Sequence, residues 1–121
     1  MMKGAATVLA VSDVAASLVY YRDVLGFLVT FEYGDPLSYA CLYRDEVAVH
    51  LIGAGASKRQ AGQGAICAFV TDVDALHAEF AERQASIVNA PDDRVYGMRD
   101  FDVRDLDGNQ LTFGMQVAAT P

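Results

Sequence analysis

Several features that would assign a protein to a broad class are scarce in this sequence. Its 121 residues include only two cysteines and nine basic residues, against 16 acidic ones. No apolar run approaches the roughly 18 residues that a membrane-spanning helix needs. Because nucleic acids are bound mainly through Lys and Arg, the low basic content argues against a nucleic-acid partner. The formal charge of −7 is instead compatible with a cationic ligand.

Motifs of several common catalytic chemistries are also missing. The sequence has no Gly-rich phosphate loop, no Gly-x-Ser-x-Gly element and no Cys-x-x-Cys pair. Cys41 and Cys67 lie in separate apolar segments, which favours two reduced, buried thiols. The apolar stretch before Asp13 is too short for a secretory signal, so we expect a cytoplasmic protein without a membrane anchor.

What the sequence does contain is an internal repeat. VSDVAASLVYYRDVLGF (11–27) and VTDVDALHAEF (70–80) each follow an apolar segment, and 59 residues separate Asp13 from Asp72. Each aspartate stands where a helix N-cap is expected, since its carboxylate can accept bonds from the free amides of the first turn. The apolar spacing predicts a first helix over 14–25 and a second helix that starts after Asp72.

Three strand-like segments follow each helix. They lie at 27–33, 38–44 and 47–52 in the first half, and at 86–90, 98–104 and 110–116 in the second. A Gly- and Ala-rich segment at 53–64 is typical of a linker or lid. The sequence therefore predicts a single α+β domain over 1–121, in which module one (4–52) and module two (65–116) are tandem βαβββ units.

The residues at 11–27, 70–80 and 96–113 resemble the vicinal-oxygen-chelate superfamily. That superfamily includes glyoxalases, extradiol dioxygenases, fosfomycin-resistance enzymes and bleomycin-resistance proteins. The resemblance covers nearly the whole chain and implies sheets that curl into a cup, with the helices on the outer face. It also implies a homodimer, because a second subunit commonly closes the cup. Whether the modules pair within one chain or across the dimer stays open.

The resemblance also points to possible metal ligands. In metal-using members, the first and last strands of each module offer a His, Glu or Gln. The corresponding positions here are Ala6, His50, Ala65 and Thr112. Catalytic metal sites usually need about three protein ligands, and only His50 is a common one. We therefore expect no metal and no other cofactor.

Strand alternation assigns the faces of the first hairpin. If the chain turns at Asp45-Glu46, Arg44 pairs with Val47 and Cys41 lies opposite His50. Tyr39 shares the face of Cys41, which we expect to face the cup.

The second hairpin is assigned in the same way. Pairing Arg104 with Gln110 places Asp102 opposite Thr112 on the cup face, and the turn between them has the Asp-Gly-Asn sequence typical of hairpins. The other face is apolar throughout and should lie under the helices. It consists of Phe101, Val103, Leu111 and Phe113.

These faces define a candidate ligand-binding site, for which we predict no catalytic residue. Its members are Tyr39, Cys41, His50, Phe69, Asp102 and Thr112. Two simpler interpretations stay open: His50 is only hydrogen-bonded within the sheet, and Asp102 and Thr112 belong to a solvated face. The favoured function is metal-free sequestration of a small, cationic, antibiotic-like molecule. The alternative is a metal-dependent lyase, isomerase or dioxygenase of the same superfamily.

Overall fold

The computed structural model describes residues 1–118 and contains the same order of elements twice. In module one, strand β1 (Thr7–Val11) leads into helix α1 (Val14–Val19); in module two, β5 (Ala65–Phe69) leads into α2 (Val73–Glu82). The remaining strands are β2 (Leu28–Tyr33), β3 (Tyr39–Arg44), β4 (Val47–Gly53), β6 (Ser86–Ile87), β7 (Asp92–Asp93), β8 (Met98–Arg104) and β9 (Gln110–Gln116). The predicted α+β class is confirmed.

Both helices begin at the aspartates that the repeat identified. Asp13 Oδ1 accepts a hydrogen bond from the Ala16 amide, and Asp72 Oδ1 accepts one from the Ala75 amide, each at 3.0 Å. Each bond satisfies an N–H group that the first helical turn leaves without a backbone partner. The N-caps predicted from the sequence are therefore confirmed.

The first helix is less regular than its sequence pattern predicts. After α1 the chain continues through Tyr20–Val24 with the wider hydrogen bonding of a π-helix. It leaves the helix at Gly26, whose φ of 77° lies in the region that favours glycine. The predicted helix over 14–25 is thus one helical segment with two kinds of turn.

The strands form two mixed sheets with matching topology. Their strand orders are β1-β4-β3-β2 and β5-β9-β8-β6, with β7 added beside β8. In each sheet the first strand of the module runs parallel to the last strand, and the other pairs are antiparallel. The sheets are open, so each has one face under its helix and one face without a helix.

The register of both long hairpins agrees with the sequence prediction. In the first hairpin Arg44 pairs with Val47 and Cys41 with His50. In the second, Arg104 pairs with Gln110 and Asp102 with Thr112. The four residues assigned to the helix side of the second hairpin are buried, which confirms the face assignment.

One hydrophobic core joins the two modules. It combines the helix-facing side chains of both sheets with the buried sides of α1 and α2. Phe80 of α2 packs edge-on against Phe113, with ring centroids 5.2 Å apart, and Phe101 lies 5.6 Å from Phe113. The helices thus lie on the side of each sheet away from its uncovered face.

The turn between β8 and β9 fastens module two to module one. Buried Asp105 accepts hydrogen bonds from the Tyr21 hydroxyl at 2.8 Å and from the Asn109 side-chain amide at 2.9 Å. Asn109 Nδ2 also donates to the Ala10 carbonyl at 3.1 Å. At the rim, the Ser12 hydroxyl donates to Asp107 at 2.5 Å. A polar network therefore fixes this turn against β1 and the first helix.

Parts of module two differ from the predicted elements. The strand expected at 86–90 is only two residues long, and β7 is an additional strand. Asn89 explains the interruption, because its side chain bonds the Asp102 amide and carboxylate, each at 2.8 Å, and so replaces backbone pairing. Within residues 1–118, neither helix has the length and apolar character that a bilayer crossing requires.

Candidate functional site

The six predicted site residues are divided between the two sheets. Tyr39, Cys41 and His50 lie on the uncovered face of module one, and Phe69, Asp102 and Thr112 lie on that of module two. We call these surfaces the open faces. A cavity lined by Tyr39 contains members of the first group only, and a cavity lined by Phe69 contains members of the second group only. Within residues 1–118 the six candidates therefore form two separate groups, which we call the half-site of module one and the half-site of module two.

The half-site of module one is built around a tyrosine–histidine pair. The Tyr39 hydroxyl and His50 Nδ1 are 2.8 Å apart, and their rings meet edge to face at 5.5 Å. Partial burial, and secondly the neighbouring Cys41, raise the pKa of Tyr39, so its phenol is protonated at neutral pH. When a neutral imidazole accepts a hydrogen bond from this hydroxyl at Nδ1, its Nε2 carries the N–H and can donate to a ligand.

An apolar cavity adjoins this pair. Its volume is about 330 Å³, at the small end of the range for ligand sites. The lining residues are Phe31, Tyr33, Ser38, Tyr39, Ile52 and Ala56. Phe31 is 53% exposed and Tyr33 is 66% exposed, so one wall of the cavity is open to solvent. Cys41 is a half-buried free thiol opposite His50.

The half-site of module two centres on Asp102. Its carboxylate accepts hydrogen bonds from the Thr112 hydroxyl at 2.5 Å and from the Asn89 side-chain amide at 2.8 Å. Phe69 lies on β5, opposite Gly114 of β9, and is 74% exposed. Asp102 is therefore held in a fixed position on the same open face as an exposed aromatic ring, with β9 between their strands.

Sequence reasoning missed a second carboxylate network next to this half-site. Asp100 is buried and accepts hydrogen bonds from Arg94 Nε at 2.7 Å and from the Tyr96 hydroxyl at 2.9 Å. The hydrogen bond to Asp100, and then burial, raise the pKa of Tyr96. Arg94 and Tyr96 belong to an irregular loop. They reach Asp100 because this loop folds back onto β8. The one available signal was the excess of polar residues in the segment 92–100.

The residues at the four family metal positions do not fit a metal. Ala6 and Ala65 offer no side-chain donor, and the Thr112 hydroxyl donates to Asp102. His50 Nδ1 is engaged by Tyr39. Across residues 1–118, no three His, Cys, Asp or Glu side chains lie close enough together to hold an ion.

A family model confirms the relationship that the repeat indicates. Residues 5–113 match the Glyoxalase/Bleomycin resistance protein/Dioxygenase superfamily. The chain belongs to this superfamily. No curated protein sequence matches the chain.

Solved structures similar to this chain include both binding proteins and an enzyme. The bleomycin-binding protein of bleomycin-producing Streptomyces verticillus, complexed with copper(II)-bleomycin, is 28% identical, with 100% of this chain and 98% of that chain covered and a TM-score of 0.78. The antibiotic-binding protein TnmS3 of Streptomyces sp. CB03234 is 19% identical, with coverages of 96% and 97% and a TM-score of 0.81. Lactoylglutathione lyase of Agrobacterium tumefaciens is 21% identical, with coverages of 95% and 94% and a TM-score of 0.79. At these identities the last two establish the fold only, so function has to be argued from the site.

Proposed function

We propose that this protein sequesters a small, cationic, antibiotic-like molecule, without a metal, in cups completed by a second copy of the chain. The observation that carries the proposal is the Tyr39–His50 pair beside an apolar cavity. His50 occupies a position at which metal-using relatives would need a ligand, and here its Nδ1 is engaged by Tyr39. The similarity to the bleomycin-binding protein supports the same ligand class.

The half-sites support a homodimer. Large apolar side chains are exposed on the two open faces, including Phe31 (53%), Tyr43 (40%) and Phe69 (74%). Contiguous exposed apolar surface of this kind is characteristic of an interaction or binding site. If a module-one face of one chain lies opposite a module-two face of another, the pair Tyr39–His50 meets Phe69 and Asp102. Each dimer would then contain two complete cups.

The charge of the site favours a cation. The protein carries a formal charge of −7, which raises the local concentration of cationic ligands. Asp102 would supply a fixed negative charge inside the cup, and the aromatic rings would pack against the body of the ligand. His50 Nε2 would orient a polar acceptor on the ligand.

The enzyme alternative requires a metal that these side chains do not provide for. A lyase, isomerase or dioxygenase of this superfamily would need further donors at positions held by Ala6, Ala65 and Thr112. Elemental analysis distinguishes the two functions. About one tightly held transition metal per chain, with turnover abolished by a chelator, would support the enzyme and contradict the proposal.

Titration calorimetry with copper-free bleomycin, and with ethidium as a simple aromatic cation, tests the proposed ligand class. We expect saturable binding that is unchanged after treatment of the protein with EDTA. Replacing His50 by Gln should weaken binding about two- to tenfold, the effect of one lost hydrogen bond. The matched control is His77→Gln, because His77 belongs to α2 and packs on Phe101, on the side of the sheet away from the open face. Absence of binding by either compound up to millimolar concentration would contradict the proposal.

Sedimentation velocity at micromolar concentration tests the dimer separately. Phe31→Lys places a charge on the open face of module one and should raise the dimer dissociation constant about tenfold or more. Val19→Lys is the control, since Val19 is exposed on α1, outside the open faces. A wild-type protein that sediments as a monomer would refute the shared cup.

A further inference from the structure

The two modules can be compared residue by residue, because the helices repeat at a constant offset. The same 59 residues that separate Asp13 from Asp72 separate Tyr21 from Phe80. Tyr21 and Phe80 are both fully buried in the shared core. Each module therefore presents an equivalent position of its helix to the hairpin turn of the other module.

The two hairpin turns that meet these helices differ in length. In module two, five residues connect Arg104 to Gln110, and their turn is fastened to module one through buried Asp105. In module one, only Asp45 and Glu46 connect β3 to β4. Asp45 follows an arginine as Asp105 does, but it is exposed. Phe80 has no hydroxyl with which to bind it.

The shorter turn leaves a groove between the modules. Its volume is about 600 Å³, within the usual range of small-molecule sites. It runs between the β3–β4 turn, the end of β5 and the exposed side of α2. At the equivalent position on the other side of the molecule, the longer turn of residues 105–109 packs directly on β1. The groove thus results from a break in the repeat.

The chemistry of the groove is aromatic and acidic. Its four aromatic residues are all phenylalanines: Phe69 is exposed, whereas Phe27, Phe80 and Phe113 belong to the buried core. The charged lining residues are Arg44, Asp45, Glu46, Asp72 and Glu79, which leave a net formal charge of −3.

Arg44 is not free to reverse this balance. It forms a two-pronged ion pair with Glu79, at 2.7 and 2.9 Å, and its guanidinium lies 6.0 Å from the centre of the Phe80 ring. Asp45 and Glu46 are exposed at the rim with no ion-pair partner among residues 1–118. Two carboxylates are therefore available to a cation that enters the groove.

We propose that this inter-module groove is a second ligand site, which binds a small organic cation with an aromatic or aliphatic body. The exposed ring of Phe69 can attract a cation through its quadrupole and pack against the body of the ligand. The carboxylates of Asp45 and Glu46 add Coulombic attraction at the mouth. Of the six open-face candidates only Phe69 lines the groove, so the two proposed sites share this one residue and are otherwise built from different side chains.

Amide chemical shifts of the full-length, isotope-labelled protein locate the site. The probe is benzyltrimethylammonium, compared with neopentylbenzene, which has the same shape and no charge. We expect saturable shifts at Glu46, Thr71 and Ala75, and markedly weaker effects with the neutral compound. Shifts restricted to the open faces, around Cys41 and Thr112, or no shifts at millimolar probe, would overturn the proposal.

Paired substitutions separate filling of the groove from general effects on α2. Ala75 lines the groove and Ala78 does not, yet both are exposed on the helix. Ala75→Phe should abolish the groove shifts, whereas Ala78→Phe should leave them intact. Glu46→Gln should weaken binding of the probe about two- to fivefold, and Glu82→Gln, on α2 outside the groove, should have no effect. Equal effects of the members of either pair would refute the assignment, whatever the outcome at the cups.

Discussion

The hydroxyl of Tyr21 offers a direct test of how the two modules are joined. The ring is fully buried, and its hydroxyl donates to Asp105 Oδ2 at 2.8 Å. Burial first, and then the charge of Asp105, hold the pKa of Tyr21 above its ordinary value, so the hydroxyl is always a donor. Tyr21→Phe removes this donor and leaves the ring packing in place.

The expected loss follows from the other partners of Asp105. A hydrogen bond to a charged group contributes about 1.5–3 kcal/mol. Because Asp105 also accepts bonds from the amides of Asp107 and Asn109, and from the Asn109 side chain, we expect the lower part of that range, about 1.5–2 kcal/mol. For a chain of this size such a loss lowers the midpoint of thermal unfolding by about 6–8 °C.

Urea unfolding followed by circular dichroism, at one fixed protein concentration, measures this difference. Tyr33→Phe is the matched control, because Tyr33 is 66% exposed and its hydroxyl has no hydrogen-bond partner within residues 1–118. Its effect should stay below about 0.5 kcal/mol. If Tyr21→Phe is as stable as the control, the Tyr21–Asp105 bond does not hold the modules together.

Two further predictions concern backbone fit and pH. Gly62→Ala should cost at least about 2 kcal/mol of unfolding free energy, because φ is +83° and the new methyl group would collide with the Asp107 carbonyl. Gly108 has a similar φ, but no atom lies within 4 Å of the methyl group that an alanine would add, so Gly108→Ala should cost only about 1 kcal/mol. Equal losses for the two substitutions would contradict the collision. The hydrogen bond from Arg44 lowers the pKa of Glu79, so its stabilisation is present above the ordinary carboxyl pKa and is lost as the pH falls through the lowered value. Glu79→Gln should therefore lose about 1 kcal/mol at pH 7 and progressively less in acid, as measured by urea unfolding at a series of pH values; a deficit that does not change with pH would contradict this.

The hairpins show what could be predicted from sequence. The register around Cys41 and His50 was correct because alternation has a period of two, so a slip by one residue would expose the apolar face. The same argument placed Asp102 opposite Thr112. The N-caps at Asp13 and Asp72 could be predicted from the sequence in the same way, since a cap depends on neighbours only three residues away.

Contacts between distant residues could not be predicted in this way. The Asp-Gly-Asn turn was identified as a turn, but the bond of Asn109 to Ala10 spans 99 residues and leaves no local pattern. Asn89 interrupts the strand expected at 86–90 through its bonds to Asp102, which the strand propensity of its neighbours does not reveal. Nor does the local sequence reveal that His77 is half-buried, with its ring 5.2 Å from that of Phe101.

The bond between Asn109 and Ala10 also has a consequence for biosynthesis. Because the two partners are 99 residues apart, the modules cannot lock together through this bond until residue 109 has left the ribosome. Until then, β1 and the first helix must wait with the core side of module one exposed to water. This nascent intermediate is the stage at which the protein would be most prone to aggregate and most dependent on chaperones.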